Sequence, residues 1–141
     1  MWNQKEIILR ARGRGAHLIT NEILSELPLL PEVGILNLFI KHTSAALSVN
    51  ENADPDVRRD MEYILDKLVP DIDTHYVHTM EGPDDASSHT KTSLIGPSLT
   101  IPITRGRLNL GTWQGIYLLE FREHKSARHI IATITGELVV S

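Results

Sequence analysis

The sequence predicts an α+β domain built on an antiparallel sheet, and three observations carry that prediction. Strand-like segments lie on both sides of one long amphipathic helix, short turns of hairpin size join the later strands, and no regular strand–helix alternation marks a parallel array. A chain of 141 residues is read as a single domain, residues 1–141, large enough to bury its own core.

Taken in order, "QKEIILR" at residues 4–10 reads as a first strand, followed by a turn at Gly13 and Gly15. "HLITNEILSEL" reads as a short strand running into a short helix, with Asn21 as the expected N-cap and Pro28 as the stop. "VGILNLFIKH" is apolar on both faces, which predicts a strand in a covered sheet. In "AALSVNEN" the alternation puts Ala45, Leu47 and Val49 on one face and Ala46, Ser48 and Asn50 on the other. The clearest helix follows: Asp54 can cap it, Pro55 suits its first position, and Val57, Met61, Ile64, Leu65 and Leu68 form an apolar stripe expected to pack on the core. Residues 71–89 have little apolar periodicity and read as a long loop, a kind of segment that is usually functional or disordered. "SLTIPITRGRLNL" reads as a hairpin turning at Arg105-Gly106, with Pro102 pushing its first strand toward an edge or a bulge. "IYLLEFR" and "RHIIATITGELVV" are expected to form a second hairpin through "EHKSA".

Composition excludes several classes of function. The net charge of −4 lacks the basic footprint of a nucleic-acid binder. No apolar run reaches the roughly 20 residues that span a bilayer, and the N-terminus has no signal-peptide pattern, so a cytoplasmic protein without membrane contact is expected. Cysteine is absent, so a metal would need histidine, carboxylate or carbonyl ligands.

Three segments carry chemistry-bearing side chains. His42 shares parity with Leu36, Leu38 and Ile40, which puts it at the end of an otherwise apolar face, with Ser44, Ser48 and Asn50 following. In "HYVHTMEGPDDASSHTK", His75, His78, His89, Glu81, Asp84 and Asp85 are all of ligand or acid–base type, although their spacing matches no specific metal motif. Lys91, Thr92 and Ser93 can hold an anion there, especially on a short helix, and solvation of an acidic surface loop explains the same residues. The third segment is "GTWQG". As one uninterrupted strand it places Trp113 on the bulky core face, and Thr112 and Gln114 on the other, where Gly111 and Gly115 let a ligand or another chain approach the backbone.

With these segments in view, the chain resembles the YjbQ family of small proteins, also labelled secondary thiamine-phosphate synthase enzymes. The motifs that carry the resemblance are "HTSAALSVNENADPDVRRDME", "EGPDDASSHTK", "GPSLTIPITRGRL" and "GTWQGIYLLEFR", four blocks in order over nearly the whole chain. Ala53 stands where some members would have cysteine, so the site needs no thiol. The resemblance implies a compact antiparallel β-sandwich with two to three helices packed on it, a homotrimer, and a pocket near the subunit boundary. Carried over by position, His42 of "HTS", His78 three residues before "EG" and His89 of "SH" become a metal-binding set for a divalent ion, zinc or magnesium, with no organic cofactor. His42, Asp84 and His89 are then the expected catalytic groups, and Ser44, Asn50, Lys91, Ser93, Thr112, Trp113 and Gln114 the expected contacts to a small anionic or phosphorylated molecule. The reaction implied is the joining of an aminopyrimidine diphosphate to a thiazole phosphate with release of pyrophosphate. A non-catalytic trimer that binds a metal or a metabolite is the alternative.

Overall fold

A computed structural model describes residues 1–138 of the chain. Eight strands and three helices run in the order β1 (Trp2–Leu9), β2 (Gly15–Leu18), α1 (Thr20–Glu26), β3 (Val33–Ile40), β4 (Ala45–Glu51), α2 (Pro55–Leu68), α3 (Asp85–Ile95), β5 (Ser98–Thr104), β6 (Arg107–Leu108), β7 (Gln114–Glu120) and β8 (Arg128–Glu137). They build two antiparallel sheets, of order β1-β8-β3-β5-β6 and β2-β7-β4, so the fold is α+β.

The main core lies between the sheets. Leu36, Leu38 and Ile40 of β3, Ile130 and Ile134 of β8, and Ile101 and Ile103 of β5 meet Ala45 and Leu47 of β4 and Ile116 and Leu118 of β7, and all are at most 2% exposed. Burying each large aliphatic side chain contributes about 1.5–3 kcal/mol before entropy is counted. The opposite face of β7 carries Tyr117 and Leu119, which with Ala46 and Phe121 meet Met61 and Leu65 of α2 and Ile95 of α3. β7 is therefore apolar on both faces because it is covered twice, by the main core and by the helices.

Several local expectations hold. The Asp54 carboxylate accepts the Asp56 amide at 2.9 Å and Pro55 opens α2. Arg105 and Gly106 both take positive φ, 52° and 75°, as a two-residue hairpin turn requires. Other expectations are corrected. Asn21 lies inside α1, whose cap is Ile19 without a side-chain bond. The α2 stripe is only partly core: Met61 and Leu65 pack inward, while Ile64 and Leu68 are 53% and 69% exposed. β3 is covered on one face only, since Val33, Ile35 and Phe39 look outward. β7 and β8 do not pair with each other: β7 joins β2 and β4, β8 joins β1 and β3, and "EHKSA" crosses between the sheets. Val139 and Val140 of the expected last strand lie outside the described residues.

The "GTWQG" segment is also corrected. Residues 111–113 form a loop before β7, and Trp113 is 66% exposed rather than buried in the core. Gly115 is explained by crowding within the chain: a Cβ there would lie 2.7 Å from Leu18 Cδ2 and 3.0 Å from Asn52 Cβ. Among the described residues, no helix is long and apolar enough to cross a membrane.

Candidate metal centre

α3 is a polar helix, and its polar side chains are buried because each finds a partner. Ser87 Oγ donates to Asp71 at 2.6 Å, Ser88 Oγ donates to the Asp85 carbonyl at 2.7 Å, and Lys91 Nζ reaches Asp66 Oδ1 at 2.5 Å. Arg14 joins Asp66 and Asp71 at 2.8 and 2.7 Å, so the loop between α2 and α3 is tied down by a charge network. Burial would raise the Asp66 and Asp71 carboxyls, but the bonds from Lys91, Arg14 and Ser87 outweigh it and hold both below the usual carboxylate range.

One helical turn separates Asp85 from His89, so both point from the same face of α3. His78, on the preceding loop, swings in to meet them. His78 Nε2 lies 2.5 Å and His89 Nε2 3.1 Å from Asp85 Oδ2, and one ligand atom from each of the three residues falls within 4.8 Å of the others.

The tautomer of His89 decides what this cluster can do. Its Nδ1 lies 2.7 Å from the Thr43 carbonyl, an oxygen that can only accept, so Nδ1 carries the proton. In the neutral ring Nε2 is then a bare lone pair facing a carboxylate. That contact is repulsive unless a proton or a metal ion lies between them. A ring nitrogen fixed by a backbone carbonyl, with its partner nitrogen turned toward a carboxylate, is how proteins present metal-ligating histidines. Asp85 is oriented the same way: Arg122 Nη1 pairs with its Oδ1, leaving Oδ2 for the histidines. Burial would raise the Asp85 carboxyl, yet the His78 bond and the Arg122 charge hold it below the usual carboxylate range and ionised. Two imidazole nitrogens and one carboxylate oxygen suit zinc or a similar transition ion better than magnesium, which prefers an all-oxygen shell.

A cavity of about 360 Å³ adjoins the cluster, lined by His42, Thr43, His89, Thr92 and Ser93. His42 borders it without belonging to the cluster. Its Nε2 accepts the His129 amide at 2.8 Å, so its proton sits on Nδ1, and burial with the nearby Arg128 charge lowers its pKa and keeps the ring neutral at pH 7.

The other residues singled out in the sequence are dispersed. Asp84 is buried, where it receives Arg122 Nε at 3.2 Å and the Glu123 amide at 2.7 Å. Lys91, 1% exposed, is spent on Asp66 and lies 5.7 Å over the Phe121 ring. Ser44 Oγ accepts Arg128 Nη2 at 2.9 Å, and Ser93 borders the cavity. Asn50 is exposed and bonds the Glu51 amide. Gln114 opens β7, with Thr112 and Trp113 in the loop before it, about 20 Å from the other end of the strand by the strand rise. Arg122 and the Thr43 carbonyl are what the motif reading left out; Asp85 was among its ligand candidates but not in its metal set, and the four-residue step from Asp85 to His89 was the available signal.

The family model described as UPF0047 protein YjbQ-like matches residues 5–137. The UPF0047 protein YjbQ of Escherichia coli O157:H7 is 51% identical over 139 residues, covering 97% of this chain and all of that protein. The chain belongs to the YjbQ family. An uncharacterized YjbQ-family protein of solved structure from Clostridium acetobutylicum is 37% identical, with a TM-score of 0.79 over 93% of this chain and 99% of that one. A protein of unknown function from Sulfolobus solfataricus shares the fold, with a TM-score of 0.84 over 97% of this chain and 99% of that one, at 24% identity.

Proposed function

We propose that this YjbQ-family chain is an enzyme acting on small phosphorylated molecules, with a metal held by His78, Asp85 and His89 beside the cavity. The observation that carries this is the bond from His89 Nδ1 to the Thr43 carbonyl, which supports the reading because it leaves the lone pair of the other ring nitrogen available to a metal. Zinc bound there would polarise a phosphoryl oxygen and lower the pKa of a bound water. The chain's own residues orient and bind. Thr43 and Arg122 aim the ligands, and neutral His42, with its proton on Nδ1, and the Ser93 hydroxyl offer hydrogen bonds to an oxyanion in the cavity.

The finer reading follows the family label. The thiazole nitrogen of a thiazole phosphate bonds to the methylene carbon of an aminopyrimidine diphosphate, the methylene carbon–oxygen bond breaks, and pyrophosphate leaves. Zinc-loaded protein should be assayed with the two precursors and, separately, with phosphate monoesters. Turnover that needs metal and is lost in Asp85→Asn is expected. No metal-dependent turnover of either substrate class would leave the second reading, a non-catalytic metal- or metabolite-binding protein. That reading is favoured by the commitment of Lys91 and Arg122 to carboxylates rather than to an open anion site.

The proposed assembly is a homotrimer. Ile8, Val33, Ile35 and Phe39 are between 42% and 61% exposed on the outer face of the five-stranded sheet, which supports a partner there. Light scattering should return three chain masses; a particle of 15.8 kDa at micromolar concentration contradicts the trimer.

A further inference from the structure

Gln114 of "GTWQG" lies far from the histidines and borders a different cavity. It has a volume of about 450 Å³ at the other end of the three-stranded sheet, and its lining includes Arg10, Arg12, Thr20, Glu22, Asn52 and Gln114. We propose that this cavity is a second small-molecule site, for a hydroxylated oxyanion such as a sugar phosphate or a hydroxycarboxylate.

The charge balance comes first. Arg12, with a side chain only 7% exposed, pairs with Glu22, while Arg10 has no carboxylate partner among the described residues. The cavity thus carries a net positive charge on a chain of net charge −4, which favours an anion there specifically.

The hydrogen-bonding groups left over define the rest of the ligand. Asn52 Nδ2 donates to the carbonyls of Thr112 at 3.3 Å and Gln114 at 3.1 Å, so both amide protons are used and its Oδ1 remains as an acceptor. Gln114 Oε1 accepts the Gly111 amide at 2.8 Å, which leaves its Nε2 as a donor. Thr20 Oγ1 accepts the Ile116 amide at 2.8 Å and keeps its hydroxyl proton. Each group is locked by the backbone, so little side-chain entropy remains to be lost on binding. One acceptor, two neutral donors and an unpaired guanidinium match a ligand with an anionic oxygen group and at least one hydroxyl. Inorganic phosphate supplies the first and has no sugar-like hydroxyls.

Trp113 provides the readout, since its carbonyl accepts the Asn52 amide at 3.0 Å and its ring is exposed. The chain has two tryptophans, so Trp2→Phe leaves Trp113 alone. Emission of this variant should be titrated with glucose 6-phosphate, citrate and inorganic phosphate, with the Gln114 side-chain amide followed by NMR in parallel. Saturable binding below about 1 mM is expected for glucose 6-phosphate or citrate, and which of them binds decides between phosphate and carboxylate. Inorganic phosphate should bind at least about tenfold more weakly. Arg10→Ala should weaken binding by about tenfold or more, and His89→Ala should leave it unchanged. The proposal is overturned if neither compound saturates below about 10 mM, if Arg10→Ala binds as the parent does, or if His89→Ala abolishes binding and so moves the ligand to the histidine cluster.

Discussion

Replacing His89 with alanine should weaken zinc binding by at least about 100-fold and leave the fold intact. Three protein ligands become two, and losing a residue that only orients a ligand typically costs about 10- to 100-fold, so loss of a ligand itself sets the larger effect. The side chain of His89 is 41% exposed, so little packing is lost with it. Asp85→Asn should reduce affinity comparably by removing the anionic ligand, although it also breaks the pairing with Arg122. His42→Ala is the informative contrast. The motif resemblance groups His42 with His78 and His89, whereas His42 Nε2 is already occupied by the His129 amide and Asp85 takes the third place in the cluster. His42→Ala should therefore keep its zinc. Competition with a chromophoric chelator reads all three affinities; equal loss in His42→Ala and His89→Ala would restore the histidine-only set.

Arg128→Ala should lower stability by about 3–5 kcal/mol, because it leaves a buried carboxylate without a counter-charge. Arg128 and Glu120 are 4% and 0% exposed at the side chain; Arg128 Nε donates to Glu120 Oε2 at 2.7 Å and Nη2 to Oε1 at 2.5 Å. Arg128 Nη2 also donates to Ser44 Oγ, so the pair joins the entrance of β8 to the end of β7 and to the segment before β4. The expected signature is a lower midpoint in urea with an unchanged slope. Exchanging both partners, Glu120→Leu with Arg128→Met, should recover most of the loss because no charge is then stranded. A second readout follows at His42, whose pKa is lowered by burial and then by the Arg128 charge. In Arg128→Ala its NMR titration should move upward. A loss below about 1 kcal/mol would mean that Glu120 is solvated or protonated without Arg128.

Features set by neighbours in the chain were legible in the sequence. The cap at Asp54, the proline after it and the Arg105-Gly106 turn depend on local dihedrals and bonds, and they stand in the structure. The alternation of β4 was also legible, with Leu47 on one core and Ala46 on the other. Features set by distant partners were hidden. β7 and β8 look like a hairpin because a short polar segment joins them, and only the register with β4 and β1 assigns them to different sheets. Trp113 looks like core because strand parity was extended through a loop that Asn52 pins from just beyond the end of β4. α3 has no apolar stripe to announce it: Ser87, Ser88 and Lys91 are buried through polar partners that no periodicity reports.

The candidate site shows the same division. The motifs grouped His42, His78 and His89, and the rings of His78 and His89 lie 5.4 Å apart while His42 packs beside His129. The adjacent carboxylates were harder to separate. Asp84 and Asp85 are equivalent by composition, but the helix turns Asp85 toward the histidines and Asp84 toward Arg122 and the Glu123 amide. Gln114 and Trp113 were grouped with the histidines because all lie in family motifs, whereas β7 holds them at its far end.

The central claim is that two Nε2 atoms and one carboxylate oxygen hold a metal. Untagged protein, purified without chelators and dialysed against buffered zinc, should be measured for metal content and for X-ray absorption at the zinc edge. About one ion per chain is expected, with two nitrogen neighbours near 2.0–2.1 Å and oxygen completing the shell. Protein that takes up no zinc, or whose zinc signal is unchanged in the Asp85→Asn variant, would contradict it.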